Sequence, residues 1–226
     1  AKTTQSDEEK QSRDIFAMDT YMTVTAYGEH ASDAVDKAEA EIKRLDELLS
    51  TGKETSEVYQ LNQNGEGVVS EDTAYLFERS EKLYKQTKGV FDISIYPVMD
   101  AWGFPTENYK VPSEEELHTL LANVDASKIQ YDKKTKKITL PENVKIDFGG
   151  IAKGYTSSRI MEIYKECGVT SGLVSLGGNV QLLGARPDGS GWKVAVESPE
   201  EDGNYLGVLQ AKDKEVITSG GYERYF

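Results

Sequence analysis

Met22, Val24 and Ala26 alternate with Thr23 and Thr25, a period of two that predicts an extended segment over residues 15–27. The period then changes. Val35, Ala38, Ile42, Leu45 and Leu49 recur at helical spacing, predicting an amphipathic helix over 32–49 with Glu39 and Lys43 as a favourable i,i+4 pair. A second helix is predicted over 73–88, with Leu76, Leu83 and Tyr84 inward and Gly89 as a left-handed stop. Pro112 and the capping box of Ser113 with Glu116 open a third helix over 113–121.

Beyond that point β patterning dominates. Residues 129–131 and 137–140 flank a polar turn and read as a hairpin, and residues 144–147 read as a short strand. A helix over 152–167 carries Ile160, Ile163, Tyr164 and Cys167 at helical spacing and ends at Gly168; Cys167 reads as inert core. Further strands are predicted at 172–176, 180–183, 192–197, 205–210 and 215–218. Helices first, then meandering strands with one helix between them, give the α+β class, with mixed or antiparallel sheets and packed helices. The polar start, AKTTQSDEEKQSRD, reads as a disordered tether over 1–14 ahead of one domain over 15–226.

Charge and side-chain inventory narrow the chemistry. A formal net charge of -13 excludes a general nucleic-acid binder, which needs a basic face. An anionic ligand must then be held locally, by backbone N–H groups, a few Lys or Arg, or a bound cation. Cys167 is the only cysteine and His30 and His118 the only histidines. Internal disulfides, zinc–thiolate sites and histidine-rich sites are thereby excluded, and a metal would take oxygen ligands, as Mg²⁺ and Ca²⁺ do. No apolar run approaches the roughly 20 residues that cross a bilayer.

The densest candidate chemistry is Asp147-Phe148-Gly149-Gly150-Ile151-Ala152-Lys153-Gly154. Two more glycine clusters follow, Leu176-Gly177-Gly178-Asn179 and Thr218-Ser219-Gly220-Gly221-Tyr222-Glu223-Arg224. Three such elements point to one site for an anionic, phosphate-bearing ligand. Gly149 and Gly154 have P-loop spacing, but Tyr155 and Thr156 stand where Lys and Ser/Thr are required, which excludes a Walker NTPase. Asp147-Phe148-Gly149 mimics the kinase metal-binding triplet, but no HRD loop accompanies it. Two readings stay open: a tight turn with Asp147 capping the helix, or a cradle whose amides and Lys153 meet phosphates at a helix N-terminus. Leu176–Asn179 alone reads as a hairpin or bulge. Trp102 and Phe104 are either core aromatics or walls for a planar ring.

In order, these segments resemble the ApbE family, the FAD:protein FMN transferases. The matching residues are Met18-Asp19-Thr20, Leu49-Ser50-Thr51, Ser56-Glu57-Val58, Leu61-Asn62, Gly89-Val90-Phe91-Asp92, Ala101-Trp102-Gly103-Phe104 and the three glycine clusters. The resemblance implies a T-fold-like architecture and Mg²⁺-dependent cleavage of FAD, with FMN passing to a Ser or Thr hydroxyl of an acceptor flavoprotein and AMP leaving. Under it, Met18 and Val90, Phe91 and Asp92 hold flavin or adenine, and Asp147 and Lys153, the candidate catalytic residues, contact the dinucleotide. Gly150 gives a backbone carbonyl to Mg²⁺, Asn62 sits near the nucleotide, and Gly177, Gly178, Ser219 and Gly220 complete the binding set. Gly52 stands where some relatives carry a tyrosine facing FAD. Relatives continue past the Tyr-Glu-Arg segment with the remaining metal ligands, so the chain is expected to be C-terminally truncated and weak in Mg²⁺ binding and transfer by itself. Alternatives are an FAD pyrophosphatase and a non-enzymatic flavin-delivery module. The family habit further implies the extracytoplasmic face of a bacterial membrane, with a lipid anchor on a cysteine upstream of Ala1.

Overall fold

The computed structural model describes residues 9–200 and 203–220. Residues 1–8 of the expected tether, and Gly221 to Arg224 of the last glycine cluster, lie outside the described residues. The elements in chain order are β1 (Lys10–Ala17), β2 (Thr20–Tyr27), α1 (Ala31–Leu49), α2 (Glu57–Asn64), β3 (Glu66–Val68), α3 (Glu71–Gln86), α4 (Tyr96–Ala101) and α5 (Glu114–Leu121). There follow β4 (Gln130–Asp132), β5 (Lys137–Thr139), α6 (Gly149–Glu166), β6 (Gly172–Leu176), β7 (Asn179–Leu183), β8 (Trp192–Glu197), β9 (Tyr205–Ala211) and β10 (Glu215–Ile217). The class is α+β, and the paired strands are antiparallel.

Two compact units form, one from Ala1–Arg44 with Lys153–Phe226 and one from Leu45–Ala152. The first unit is built on a five-stranded sheet in the order β1-β2-β6-β7-β10. Register fixes its faces, because residues directly opposite in antiparallel strands share a side. Ile15, Met22 and Leu176 lie in one row, with Val24 and Val174 in the next. That face packs on Ala31, Ala34, Val35, Ala38 and Ile42 of α1 and on Ile160, Met161 and Tyr164 of α6, forming one core. The apolar stripe read from the sequence for α1 is the stripe that is buried. Cys167 is half-buried against this core, and its Sγ lies 3.6 Å from Asp33 Oδ2. Burial raises its thiol pKa, which keeps it protonated.

The second unit holds the three-stranded sheet β3-β5-β4 with α2 to α5. Ser70 and Ser113 cap α3 and α5, accepting the amides of Thr73 and Glu116.

Four expectations need correction. Residues 10–14 are not tether but half of β1, paired with β2 from Lys10↔Tyr27 onwards. The segment 15–27 is not one extended run: a two-residue loop, Met18-Asp19, folds it into a hairpin. Residues 144–147 join no strand ladder; the Ile146 backbone is held instead by the Asn62 side chain. Finally, α6 begins at Gly149, three residues before the predicted start, because Asp147 caps glycines that propensity alone would leave outside a helix.

Candidate functional site

In the second unit the expected residues gather round the start of α6. Asn62, only 8% exposed, donates Nδ2 to the Ile146 carbonyl and accepts the Ile146 amide on Oδ1, both at 2.8 Å. Both ends of its amide are thus engaged on the backbone just ahead of Asp147. The Asp147 amide donates to the Ile93 carbonyl at 2.9 Å, and its Oδ1 accepts the Gly149 amide at 2.6 Å. A Cβ on Gly149 would stand 2.6 Å from that same oxygen, so a larger residue there would push the Asp147 carboxylate out of its present position. A Cβ on Gly150 would stand 2.9 Å from the Phe91 ring, which lies flush against the backbone.

Asp92 is also committed locally. Its Oδ1 accepts the amide and hydroxyl of Ser94 at 2.8 and 2.6 Å, and its Oδ2 accepts the Ala126 amide at 3.1 Å. It therefore braces the segment that carries Phe91 and Ile93. Val90 points outward, 88% exposed.

The helix N-terminus is less open to an anion than the glycines suggest. The Gly149 amide is held by Asp147, and the Ile151 and Ala152 amides both reach the Phe148 carbonyl at 2.9 Å. Most of the first-turn donors that a phosphate would need are already used. Lys153, one turn into the helix, and the helix dipole are the remaining positive features there.

Tyr96 was not singled out by the sequence. Burial raises its phenol pKa, the Thr51 hydroxyl opposes this, and the carboxylates of Asp100 and Asp147 add to the rise. No periodic signal marks Tyr96, because α4 is six residues long and has no buried residue.

In the first unit the expected residues meet at one end of the five-stranded sheet. Met18 (φ 49°) and Asp19 (φ 56°) both take left-handed backbone, as a two-residue type I′ loop requires. Methionine there is unfavourable, by roughly 1–2 kcal/mol. Met18 packs on the core, and its sulfur lies 3.8 Å from Thr156 Oγ1 of α6. Gly177 (φ 57°) and Gly178 (φ 86°) form the matching loop between β6 and β7. The two loops touch: a Cβ on Gly177 would stand 2.4 Å from Thr20 Oγ1. The Gly178 carbonyl accepts the Thr218 amide at 3.1 Å and its hydroxyl at 3.3 Å, which seats Ser219 and Gly220 directly beyond this edge. Thr20 was missed by chemistry-based reading, since its role is steric.

The arrangement can also be tested for a magnesium ion. The Asp147 carboxylate and the Gly150 carbonyl, which keeps a lone pair beyond its helical bond, are hard oxygen donors that suit Mg²⁺. Among the described residues no group of three or more His, Cys, Asp or Glu could hold a metal ion. Asp147 and Gly150 are thus two candidate oxygen donors with no carboxylate cluster around them among the described residues. Among them, too, no helix is long and apolar enough to cross a membrane.

The ApbE family model matches residues 18–226. A Haemophilus influenzae protein named FAD:protein FMN transferase is 29% identical over 215 residues, covering 90% of this chain and 61% of the relative. A Vibrio cholerae protein of the same name is 28% identical over 191 residues, covering 82% of this chain and 57% of the relative. The chain thus spans about three fifths of the length of these relatives. The crystal structure of the ApbE protein from Thermotoga maritima superposes with a TM-score of 0.90 at 28% identity, covering 96% of this chain and 72% of that one. The matched span opens on the strained Met18 and takes in the Asp147 turn and both glycine loops; with the agreement in fold, this places the chain in the ApbE family.

Proposed function

We propose that the protein carries out Mg²⁺-dependent transfer of FMN from FAD to a Ser or Thr hydroxyl of an acceptor flavoprotein, with release of AMP. The observation that supports this best is the convergence of Met18-Asp19, Gly177-Gly178 and Thr218 at one sheet end, beside Thr156 of α6. Left-handed backbone at a methionine persists only where its surroundings enforce it, and such strain clusters at ligand sites. The ApbE family model matches the span that holds these residues.

In this reading Met18 and Val90, Phe91 and Asp92 hold the flavin or adenine parts. Phe91 offers a ring face fixed against Gly150, and Asp92 acts by bracing it. Asp147 and Lys153 contact the dinucleotide and are the candidate catalytic groups, and Gly177, Gly178, Ser219 and Gly220 line the binding edge. Asn62 acts through the loop, since its amide holds the backbone of Ile146. Gly150 offers its carbonyl to Mg²⁺, which would neutralise charge on the pyrophosphate of an acidic protein's ligand. The acceptor hydroxyl oxygen forms a bond to the FMN phosphorus and gives up its proton to solvent, the P–O bond to AMP breaks with its electron pair leaving on AMP, and Lys153 adds a fixed positive charge beside the phosphates. The same family reading puts the protein on the extracytoplasmic face of a bacterial membrane, held by a lipid on an upstream cysteine; fractionation of cells expressing the gene checks this.

Incubation of the complete product of the gene with FAD, Mg²⁺ and a threonine-bearing acceptor tests the chemistry. The expected result is an acceptor heavier by one FMN, with equimolar AMP. Free FMN and AMP with an unchanged acceptor would make the protein a pyrophosphatase. Intact bound FAD would make it a delivery module.

A further inference from the structure

The face of the five-stranded sheet turned away from α1 and α6 is closed at one end and open at the other. It carries Lys10, Ser12, Asp14 and Phe16 of β1, opposite Tyr27, Thr25, Thr23 and Tyr21 of β2. At the Tyr27 end, Trp192 packs on Tyr27 with ring centroids 5.8 Å apart. Thr25 and Leu182, which share the next row, are buried. The Tyr21 end is open. Phe16 is 64% and Tyr21 80% exposed, although the two stand directly opposite and touch edge to face with centroids 5.1 Å apart. Folding thus leaves two adjacent aromatic rings in water, and neither belongs to the core on the other side of the sheet.

Position and charge define what fits there. The pair flanks the Met18-Asp19 loop, so it stands at the sheet end where Met18, Gly177, Gly178 and Thr218 meet. Its border is acidic: Asp14 lies in the next row and accepts the Thr23 hydroxyl at 2.7 Å, and Asp19 is exposed in the loop. The hairpin's own cations lie elsewhere. Arg13 is on the other face, paired with Asp36 and Glu39. Lys10 is three rows away, roughly 20 Å along the strand, which exceeds the screening length of about 10 Å in ordinary salt.

We propose that Phe16 and Tyr21 form the docking surface for the acceptor flavoprotein. An apolar side chain of the acceptor packs on the two rings, and a Lys or Arg beside it meets Asp14. This rests on the transferase reading, because it assigns a surface to the partner of that same site. Exposed aromatic side chains that sit together are effective anchors for a protein partner. Here they stand beside the edge to which an acceptor hydroxyl must be brought. A second copy of the chain is disfavoured as occupant, since it would bring the same acidic border and a net charge of -13.

The test uses the complete product of the gene, loaded with FAD in the absence of Mg²⁺, and a threonine-bearing acceptor domain titrated in by calorimetry, so that binding is read without chemistry. The double variant Phe16→Ser, Tyr21→Ser is expected to raise the acceptor Kd at least about 10-fold. Its FAD Kd should stay within about 2-fold, which also reports that the fold is kept. Tyr21→Phe keeps the ring and should bind the acceptor as the unsubstituted protein does. Asp14→Lys, and separately a rise in salt from about 50 to about 300 mM, should each weaken the acceptor about 3-fold or more. In the transfer assay the double variant should raise KM for the acceptor and leave kcat unchanged. An unchanged acceptor Kd in the double variant, or no acceptor binding to the unsubstituted product, would overturn the proposal. So would ring-dependent sedimentation with phosphatidylcholine vesicles, which would make the pair a membrane contact, or a ring-dependent dimer. The two readings fail separately. FMN transfer with ring-independent binding keeps the transferase and removes the docking surface, whereas ring-dependent binding without transfer does the reverse.

Discussion

Asn62 shows how one side chain sets the geometry of a loop it does not belong to. Its amide holds both the N–H and the carbonyl of Ile146, in a stretch that has no strand partner. Asn62→Leu keeps the volume and removes both bonds. Each buried backbone group left unpaired costs about 1–3 kcal/mol, so a loss of at least about 2 kcal/mol is expected in denaturant unfolding. An unchanged midpoint would show that the clamp is not formed. Glu41 makes a pH-dependent prediction in the other unit. Arg44 grips its carboxylate at 2.7 and 2.9 Å, and Arg159 approaches at 3.4 Å. The Arg44 hydrogen bonds, against some burial, hold its pKa below the usual glutamate range. A lowered folded-state pKa gives stability that is present above about pH 4.3 and lost as pH falls through the folded value. Glu41→Gln should therefore flatten the decline of Tm between about pH 5 and pH 2. An identical acid profile would remove Glu41 from the account.

At the level of elements, the contact between the two hairpin loops is the most constrained joint. Gly177→Ala meets two penalties: left-handed backbone, roughly 1–2 kcal/mol, and contacts of 2.4 Å to Thr20 Oγ1 and 2.9 Å to its Cγ2. Thr20→Ala removes both of those atoms and leaves a Cβ at 3.1 Å. Gly177→Ala should thus cost markedly less in a Thr20→Ala background, a coupling that a double-mutant cycle in urea reads directly. Additive effects would place the whole cost in the backbone. The Gly177-Gly178 loop is legible in sequence because glycine announces positive φ; the Met18-Asp19 loop is not, because methionine is no usual type I′ former. Likewise α1 and α3 are legible from their apolar stripes, whereas α2, EVYQLNQN, buries only Val58, Leu61 and Asn62 and has too short a period to register. The start of α6 was hidden for a different reason: a side-chain bond from Asp147 outweighs the poor helix propensity of Gly149 and Gly150.

For the molecule as a whole, strand order lies beyond local pattern. Nothing in the period of β6 says that it pairs with β2, some 150 residues earlier in the chain; that pairing is set by burial on α1 and α6. The candidate site shares this limit. Its glycines and charges were visible singly, but their meeting at one sheet end depends on β10 returning to β7. The same topology predicts a hierarchy of local stability within the first unit. β2 and β6 are flanked by strands on both sides and covered by helices, so their amides should open only with global unfolding. β8 and β9 form a two-stranded ribbon whose Tyr205, Leu206, Val208 and Leu209 are exposed. Such a ribbon is marginal by itself, and its amides should exchange at least about 1,000-fold faster than those of β6. Hydrogen exchange followed by mass spectrometry at neutral pH separates the two cases, and protection of β9 equal to that of β6 would mean that the ribbon is held by contacts its exposure does not reveal.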